Sequence, residues 1–532
     1  MADNNSNKSE QKKPEEEYRP IFTISFPTEM PKLPEAKELT TIDVRYTVIE
    51  PYVQIHVYWD TVSHELMYDV EEPKLDDKEK EALKIIEEGL NELINISYVN
   101  MTSEQKIIEF LEKNVRVIMS EFSMKLSTET FIKVMYYIYR DFIGMGIIEP
   151  LMRDPTIEDI ECNGFNTPIY LVHRKYRNIR TNVLFPTMRL LTSFVEKLAQ
   201  KCSQYVSYAN PLLDGSLPNG DRVNATYTED VTSRGPTFTI RRFTKEPWTP
   251  IRLMEFKTVS PEILAYIWML VENKANMLII GGTGSGKTSF LNAVGFFMPP
   301  AARVVSIEDT REINLYHENW LPAVSRQGVG ATTITGEKHG EVSLFDLLKE
   351  SLRQRPDYII IGEIRGKEAY VLFQAMASGH SSYGTMHAES VQTVIRRLQT
   401  PPISLSAALI ENLDAVAFIT PAMVNGKESR RLKEINEIIR VPETGAPVVN
   451  TPFVWNPATD TFLFKTNSKI FEKIIKRTGM TWEQLLAEFK VRTRLLMELY
   501  RRKIFGFKEV AEIIQEYYKT PETVMQKFGL KK

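Results

Sequence analysis

Asn276 to Phe290 reads NMLIIGGTGSGKTSF, and the fold turns on how this stretch is read. Met277 to Ile280 is a short apolar run of the kind that fills a buried strand. It breaks into a glycine-rich turn, and the turn opens a helix near Lys287. Gly281, Gly286, Lys287 and Thr288 fit the spacing G-x-x-x-x-G-K-[ST]. Glycines let backbone N–H groups curl around a phosphate that side chains would obstruct. The helix start adds unpaired N–H groups and the positive end of a dipole. Gly281, Gly282, Thr283, Gly284, Ser285, Gly286, Lys287, Thr288 and Ser289 are therefore expected to cradle the phosphates of a nucleotide. Lys287 is expected to reach the β- and γ-phosphates, and the Thr288 hydroxyl to sit on Mg²⁺.

Outward from this loop, strands and helices alternate from Ile251 onward, which predicts an α/β domain with a parallel sheet. Strands are expected at Arg303 to Ile307, Tyr358 to Ile361, Ser382 to Thr385 and Ala415 to Ile419. A strand at Leu432 to Val441 and a hairpin around Asn456-Pro457 should close the sheet edge. Val329 to Glu341, rich in glycine and threonine, is expected to be mobile. The last stretch is helical. Within it, Leu485 to Tyr500 carries a basic cluster of Arg492, Arg494, Arg501, Arg502 and Lys503. A solvated helix face accounts for that cluster, and contact with anionic membrane or an acidic partner is the rival reading.

Before the loop the texture differs. Residues 1–20 are polar and should be disordered, having almost nothing apolar to bury. Ile42 to Asp60 alternates and reads as a hairpin. Leu83, Ile86, Leu90, Leu93 and Ile94 recur at helical steps, as do Phe131, Val134, Met135 and Ile138. After Leu151 come short strands at Ile157 to Cys162, Ile169 to His173, Asn182 to Phe185, Val223 to Tyr227 and Thr237 to Arg242. An amphipathic helix lies among them at Met188 to Ser203. Lys245 to Pro250 reads as a linker, because two closely spaced prolines oppose both helix and ladder. The expected plan is a tail (1–20), an N-terminal hairpin plus helical domain (21–150) and a small α/β domain (151–244). A linker (245–252) then leads to the phosphate-loop domain with its helical extension (253–532).

Composition bounds the rest. The 532 residues are 43% apolar and 25% charged, ordinary for a globular protein of two to four domains. A net charge of −3 gives no electrostatic case for direct nucleic-acid binding, which wants a basic stripe. Two cysteines, Cys162 and Cys202, are too few for a four-cysteine zinc site or a disulfide framework. No apolar run reaches the ~18 uncharged residues of a membrane span.

Four further elements gather around the loop. YIIIGEIR ends a buried strand at Glu363, where magnesium or an attacking water would be held. SIEDTREI brings Glu308, Asp309 and Glu312 into one turn, a setting for a metal-bound water or a general base. SGHSSYGTMHA places His380 and His387 on either side of a strand. Without a third ligand or a cysteine nearby they suit phosphate sensing better than zinc. Arg222, Arg234, Arg241 and Arg242 cluster before the linker, and arginine's planar fork suits phosphate charge.

Taken together, these stretches resemble the type II/type IV secretion ATPase superfamily, with its archaeal pilus and archaellum branch nearest. GGTGSGKT from Gly281 matches its Walker A box and SIEDTRE from Ser306 its aspartate box. IIIGE ending at Glu363 matches its Walker B, and ASGHSSYGTMH its histidine box. LMRDPTIEDIECNG, SLPNGDRVN and RGPTFTIRRF have the look of its preceding small domain. Thr310 replaces the proline common in the aspartate box, and the bacterial four-cysteine insertion is absent. The resemblance implies a RecA-like P-loop domain preceded by a small PAS-like α/β domain and a mainly helical region. It implies a cytoplasmic Mg-ATP-driven homohexamer on a polytopic membrane platform protein, serving pilin- or archaellin-type filaments. It also implies roles: Glu312 as general base, Glu363 with Glu308 and Thr288 near magnesium, Arg222 and Arg241 as arginine fingers, and His387 and His380 as catalytic histidines. A DNA translocase or conjugation-type ATPase is the alternative.

Overall fold

Two kinds of strand occur in this sequence, continuously apolar ones and alternating ones, and each kind builds its own sheet. The computed structural model describes residues 20–27, 30–34, 39–93, 104–244, 246–326, 328–332, 338–424, 426–443 and 446–530. Most of the polar tail expected over 1–20 lies outside these, as do Ile94 and the middle of the Gly/Thr-rich stretch. The chain divides into two units, Met1–Arg242 and Phe243–Lys532.

In the first unit the strands are β1 (Asp43–Ile49), β2 (Val53–Asp60), β3 (Glu65–Glu71), β4 (Ile157–Cys162), β5 (Pro168–His173), β6 (Arg177–Leu184), β7 (Leu212–Ser216), β8 (Arg222–Thr226) and β9 (Thr237–Arg241). They form one nine-stranded sheet in the order β1-β2-β3-β6-β5-β4-β9-β8-β7. The expected hairpin is present as β1 and β2. The division expected at residue 150 is not a division here. β3 pairs in parallel with β6, Met67 opposite Arg180 and Tyr68 opposite Thr181, and one core holds Val57 and Ile160 alike. Asp154 fastens the joint. It is buried and accepts hydrogen bonds from Tyr46 (2.7 Å), Tyr68 (2.6 Å) and both the N–H and hydroxyl of Thr156 (2.7 and 2.6 Å). Helices Asp77–Leu93, Glu104–Glu121 and Thr128–Ile138 supply the apolar stripe read from the sequence, including buried Ile86, Leu90, Phe131 and Val134.

In the second unit the strands are β10 (Met277–Gly281), β11 (Val304–Glu308), β12 (Trp320–Val324), β13 (Val329–Thr332), β14 (Lys338–His339), β15 (Tyr358–Ile361), β16 (Ser381–His387), β17 (Ala415–Val424), β18 (Lys427–Arg440), β19 (Val448–Asn456) and β20 (Thr461–Phe464). The main sheet runs β12-β11-β15-β16-β10-β17-β18-β19-β20. It is parallel from β12 through β17 and antiparallel beyond. β10, β11 and β15 are buried at every position, the mark of a parallel sheet covered on both faces. Successive residues enter opposite cores: Met277, Ile279 and Ile360 join one, Leu278, Ile280 and Ile361 the other.

Two expectations are corrected here. Pro250 does not end a linker; it opens helix Pro250–Glu255, capped by the Thr249 hydroxyl accepting from the Arg252 N–H. Proline is tolerated at the first helical position because that N–H would be unpaired anyway. Arg492 is not on a solvated face. Its side chain is 4% exposed and paired with Glu272 (2.5 Å) and Glu488 (2.9 Å), and its guanidinium lies 4.9 Å from the Trp268 ring centre. Two carboxylates and an aromatic face offset the cost of burying that charge. Arg501 and Arg502 of the same cluster remain exposed beside Glu498.

Candidate active site

The parallel strands of the second unit end on one edge, and the sequence puts a chemically loaded turn after each of four of them. β10 runs straight into the phosphate loop. Gly281 has no room for a side chain, since a Cβ there would lie 2.3 Å from the Ile419 carbonyl. Gly286 has φ +93° and precedes helix Lys287–Gly295, a left-handed backbone that glycine adopts without penalty. Above Gly282 and Gly284 nothing lies within 4 Å of a would-be Cβ, so the cradle is open where a phosphate would enter. Ser285 is buried and donates to the Gly282 carbonyl at 2.9 Å. Lys287 folds over the loop, its Nζ donating to the carbonyls of Gly281 (3.1 Å) and Gly282 (2.8 Å). Burial pulls the Lys287 pKa down, while Glu363 and Glu312 pull it back up. Thr288 and Ser289 are half-buried on the first turn of that helix.

Glu308 is the last residue of β11, three strands across the sheet from β10. Its Oε1 accepts the N–H groups of Glu312 and Ile313, both at 2.9 Å, and its buried Oε2 has no hydrogen-bond partner. Burial pushes its carboxyl up to about 8 against the two N–H donors. A cation at that oxygen would satisfy the orphan and favour the ionised form. Glu312 is exposed, but its backbone is held twice, by Glu308 and by the Asn292 side chain donating to its carbonyl at 3.1 Å. Asp309 accepts from Ser325 at 3.2 Å. Glu363 follows β15 and pairs with Arg365, whose loop is clasped by Glu368 accepting the N–H groups of Arg365 and Gly366.

His387 stands at the end of β16 in register with Gly281, exposed on the same edge. His380 does not. It precedes Ser381, the first residue of β16, and at ~3.3 Å per strand residue it sits roughly 23 Å from His387. The expectation that both histidines serve one site is corrected: a strand of this length carries them to opposite edges. Among the described residues no group of three His, Cys, Asp or Glu could hold a metal alone. Magnesium in a phosphate site needs no such cage, taking one or two protein oxygens plus phosphates and water. Thr288, Glu308 and Glu363 suit that donor set.

The arginines expected to act together are divided within the first unit. Arg222 and Arg241 are directly opposite each other on β8 and β9. Each is paired with a carboxylate, Arg222 with Asp214 (3.2 Å) and Arg241 with Asp159 (3.0 Å). Arg242 points into the unit instead, pairing with buried Asp221 at 3.1 Å. Arg234 is exposed in the turn before β9.

The profile of the family described as "Type II/IV secretion system protein" matches residues 143–422. The match covers the phosphate loop and all three boxes that follow it. The chain belongs to the type II/IV secretion ATPase family. Across nearly its whole length this family member is similar to an uncharacterised protein of Methanocaldococcus jannaschii, 34% identical over 94% of this chain and 92% of that one. A second uncharacterised protein of the same organism is 40% identical over 50% of this chain and 97% of its own length. The type IV secretion system protein PtlH of Bordetella pertussis is 29% identical over 47% of this chain and 81% of that one.

Two site residues were missed in the sequence. Asn292 is polar on an otherwise apolar helix face and 3% exposed, and that mismatch was a usable signal. Arg430 donates to the Gly284 carbonyl at 3.0 Å from 146 residues away; nothing local marks it.

Proposed function

We propose that the chain is a Mg-ATP-hydrolysing motor that drives assembly of a type IV pilus-like filament or a related secretion machine. It works as a homohexamer docked at the cytoplasmic side of a polytopic membrane platform protein. Among the described residues no helix is long and apolar enough to cross a membrane. The observation that carries the reading is the arrival of four boxes at one sheet edge: the phosphate loop, the Glu308 turn, Glu363 and His387.

In this reading the loop N–H groups and Lys287 hold the β- and γ-phosphates. Lys287 leaves the two glycine carbonyls to do so. Thr288, Glu308 and Glu363 would hold magnesium, which would neutralise charge on the phosphate oxygens. Glu312, exposed and fixed through its backbone, takes the proton of the attacking water. His387 senses the phosphate end of the site beside Gly281. Arg222 and Arg241, which lie before the linker, act on a neighbouring chain's nucleotide, releasing Asp214 and Asp159 as they engage. Residues 246–249, ahead of helix Pro250–Glu255, are the hinge across which hydrolysis moves one unit against the other.

Phosphate release from Mg-ATP by the full chain tests the reading. Lys287→Ala should lose both nucleotide binding and turnover, whereas Glu363→Gln should bind ATP and turn over slowly. Parental hydrolysis by Lys287→Ala would remove the phosphate-loop assignment.

A further inference from the structure

β10 and β17 pair only from Met277 opposite Ala415 to Ile280 opposite Phe418. β17 nevertheless continues to Val424, and β18 returns antiparallel beside it from Lys427. The outer part of this hairpin therefore runs on past the end of β10 and stands as a wall beside the phosphate loop. The Ile419 carbonyl already crowds Gly281 from that side.

Arg430, opposite Pro421 on the wall, reaches the loop. Its Nε donates to the Gly284 carbonyl at 3.0 Å, and its Cδ lies 3.2 Å from where a Gly286 Cβ would be. The neighbouring Arg431 is buried and held by Asp460 at 2.7 and 3.0 Å. Arg430 differs: it is exposed, and among the described residues no carboxylate pairs with it. One of its five N–H donors is used, and four remain with a full charge beside a loop built to receive an anion. A guanidinium edge matches phosphate oxygens two at a time.

We infer that Arg430 is a nucleotide-binding residue acting in its own chain. Its Nε sets the loop through Gly284, and its outer edge takes a phosphate oxygen of a bound nucleoside di- or triphosphate. It is a cation supplied from outside all four boxes, and it complements Lys287, which approaches from the first turn of the helix. The inference rests on the reading that residues 281–289 hold a nucleotide. Because the wall faces the loop and not the water-activating carboxylates, Arg430 should strengthen binding of ADP and ATP alike and leave the chemical step alone.

Calorimetric titration of the full chain with Mg-ADP and Mg-ATP separates the possibilities. Hydrogen bonds to charged groups predict about tenfold or more weaker binding of both nucleotides by Arg430→Ala. Arg430→Lys should recover part of the affinity. Arg430→Gln can still donate to Gly284 but carries no charge, and should recover little of the affinity. Parental affinity in Arg430→Gln would reduce the residue to a loop staple and overturn the inference. Parental affinity in Arg430→Ala would overturn it too, provided Lys287→Ala has lost binding. If Lys287→Ala also binds normally, the nucleotide reading itself fails.

Discussion

Both units are built on a nine-stranded sheet, yet the two sheets use their residues in opposite ways. In the second unit β10, β11 and β15 are buried throughout, so these strands leave no face for polar chemistry. Their polar groups collect at the carboxyl edge, where parallel strands deliver turns far apart in sequence. In the first unit β4, β8 and β9 alternate buried and exposed positions. A polar face results, and on it Asp159, Arg241 and Arg222 form one row across three strands. A covered parallel sheet concentrates a site at a point; a half-solvated antiparallel sheet presents charges to something outside it. In our reading the first holds the nucleotide, and the second supplies cations to another chain's nucleotide.

At the edge the expected effect is large. Glu312→Gln should lower turnover by about 10²–10⁴, the range for a lost general base, with ATP affinity retained, as read by steady-state phosphate release. A loss below tenfold would mean that the exposed carboxylate is not the base and would weaken the edge half of the comparison.

Next comes stability in the layers that cover the parallel sheet. Arg492→Ala removes a buried guanidinium from Glu272 and from Glu488, which keeps the Tyr517 hydroxyl, and should cost about 1.5–3 kcal/mol in denaturant unfolding. Arg501→Ala, on the same helix but exposed, should stay within about 0.5 kcal/mol. Equal effects would show that the two arginines share one environment, against the burial seen here.

A smaller effect concerns pH, and its sign should differ between the units. Burial pushes His173 of the first unit down to about 4, with nearby Asp154 opposing. The unfolded chain binds the proton first, so this contribution is present above pH ~6.5 and lost as pH falls towards 4. Glu308 of the second unit is raised to about 8 by burial. There the folded state holds the proton longer, and stability falls as pH rises from ~4.3 to 8. Unfolding of His173→Gln and Glu308→Gln against the parent should show opposite pH trends. Parallel trends would contradict the assignment.

Much of the second sheet was legible because its strands are uninterrupted apolar runs ending in glycine or acidic turns, as in MLIIGG and YIIIGE. β12 escaped notice because WLPAV carries a proline and lies at the sheet edge, where the missing donor does no harm. In the first unit β3 was missed because ELMYDVE mixes charge into its alternation, and it is β3 that joins the two stretches thought separate. The site itself was read box by box. What pattern could not give was the approach of Arg430, since it depends on how far a strand runs.

The central claim, that one sheet holds the nucleotide and the other serves a neighbour's, is tested most directly by mixing two inactive variants. Arg222→Ala and Lys287→Ala should each be nearly inactive alone, because an arginine supplied in trans contributes roughly 10³–10⁵ in turnover. In mixed oligomers a Lys287→Ala chain still offers its arginine and an Arg222→Ala chain still offers its phosphate loop. Phosphate release should therefore reappear on mixing and vary with the ratio of the two. If mixed oligomers form and the mixture stays as inactive as its parts, the arginines do not act between chains.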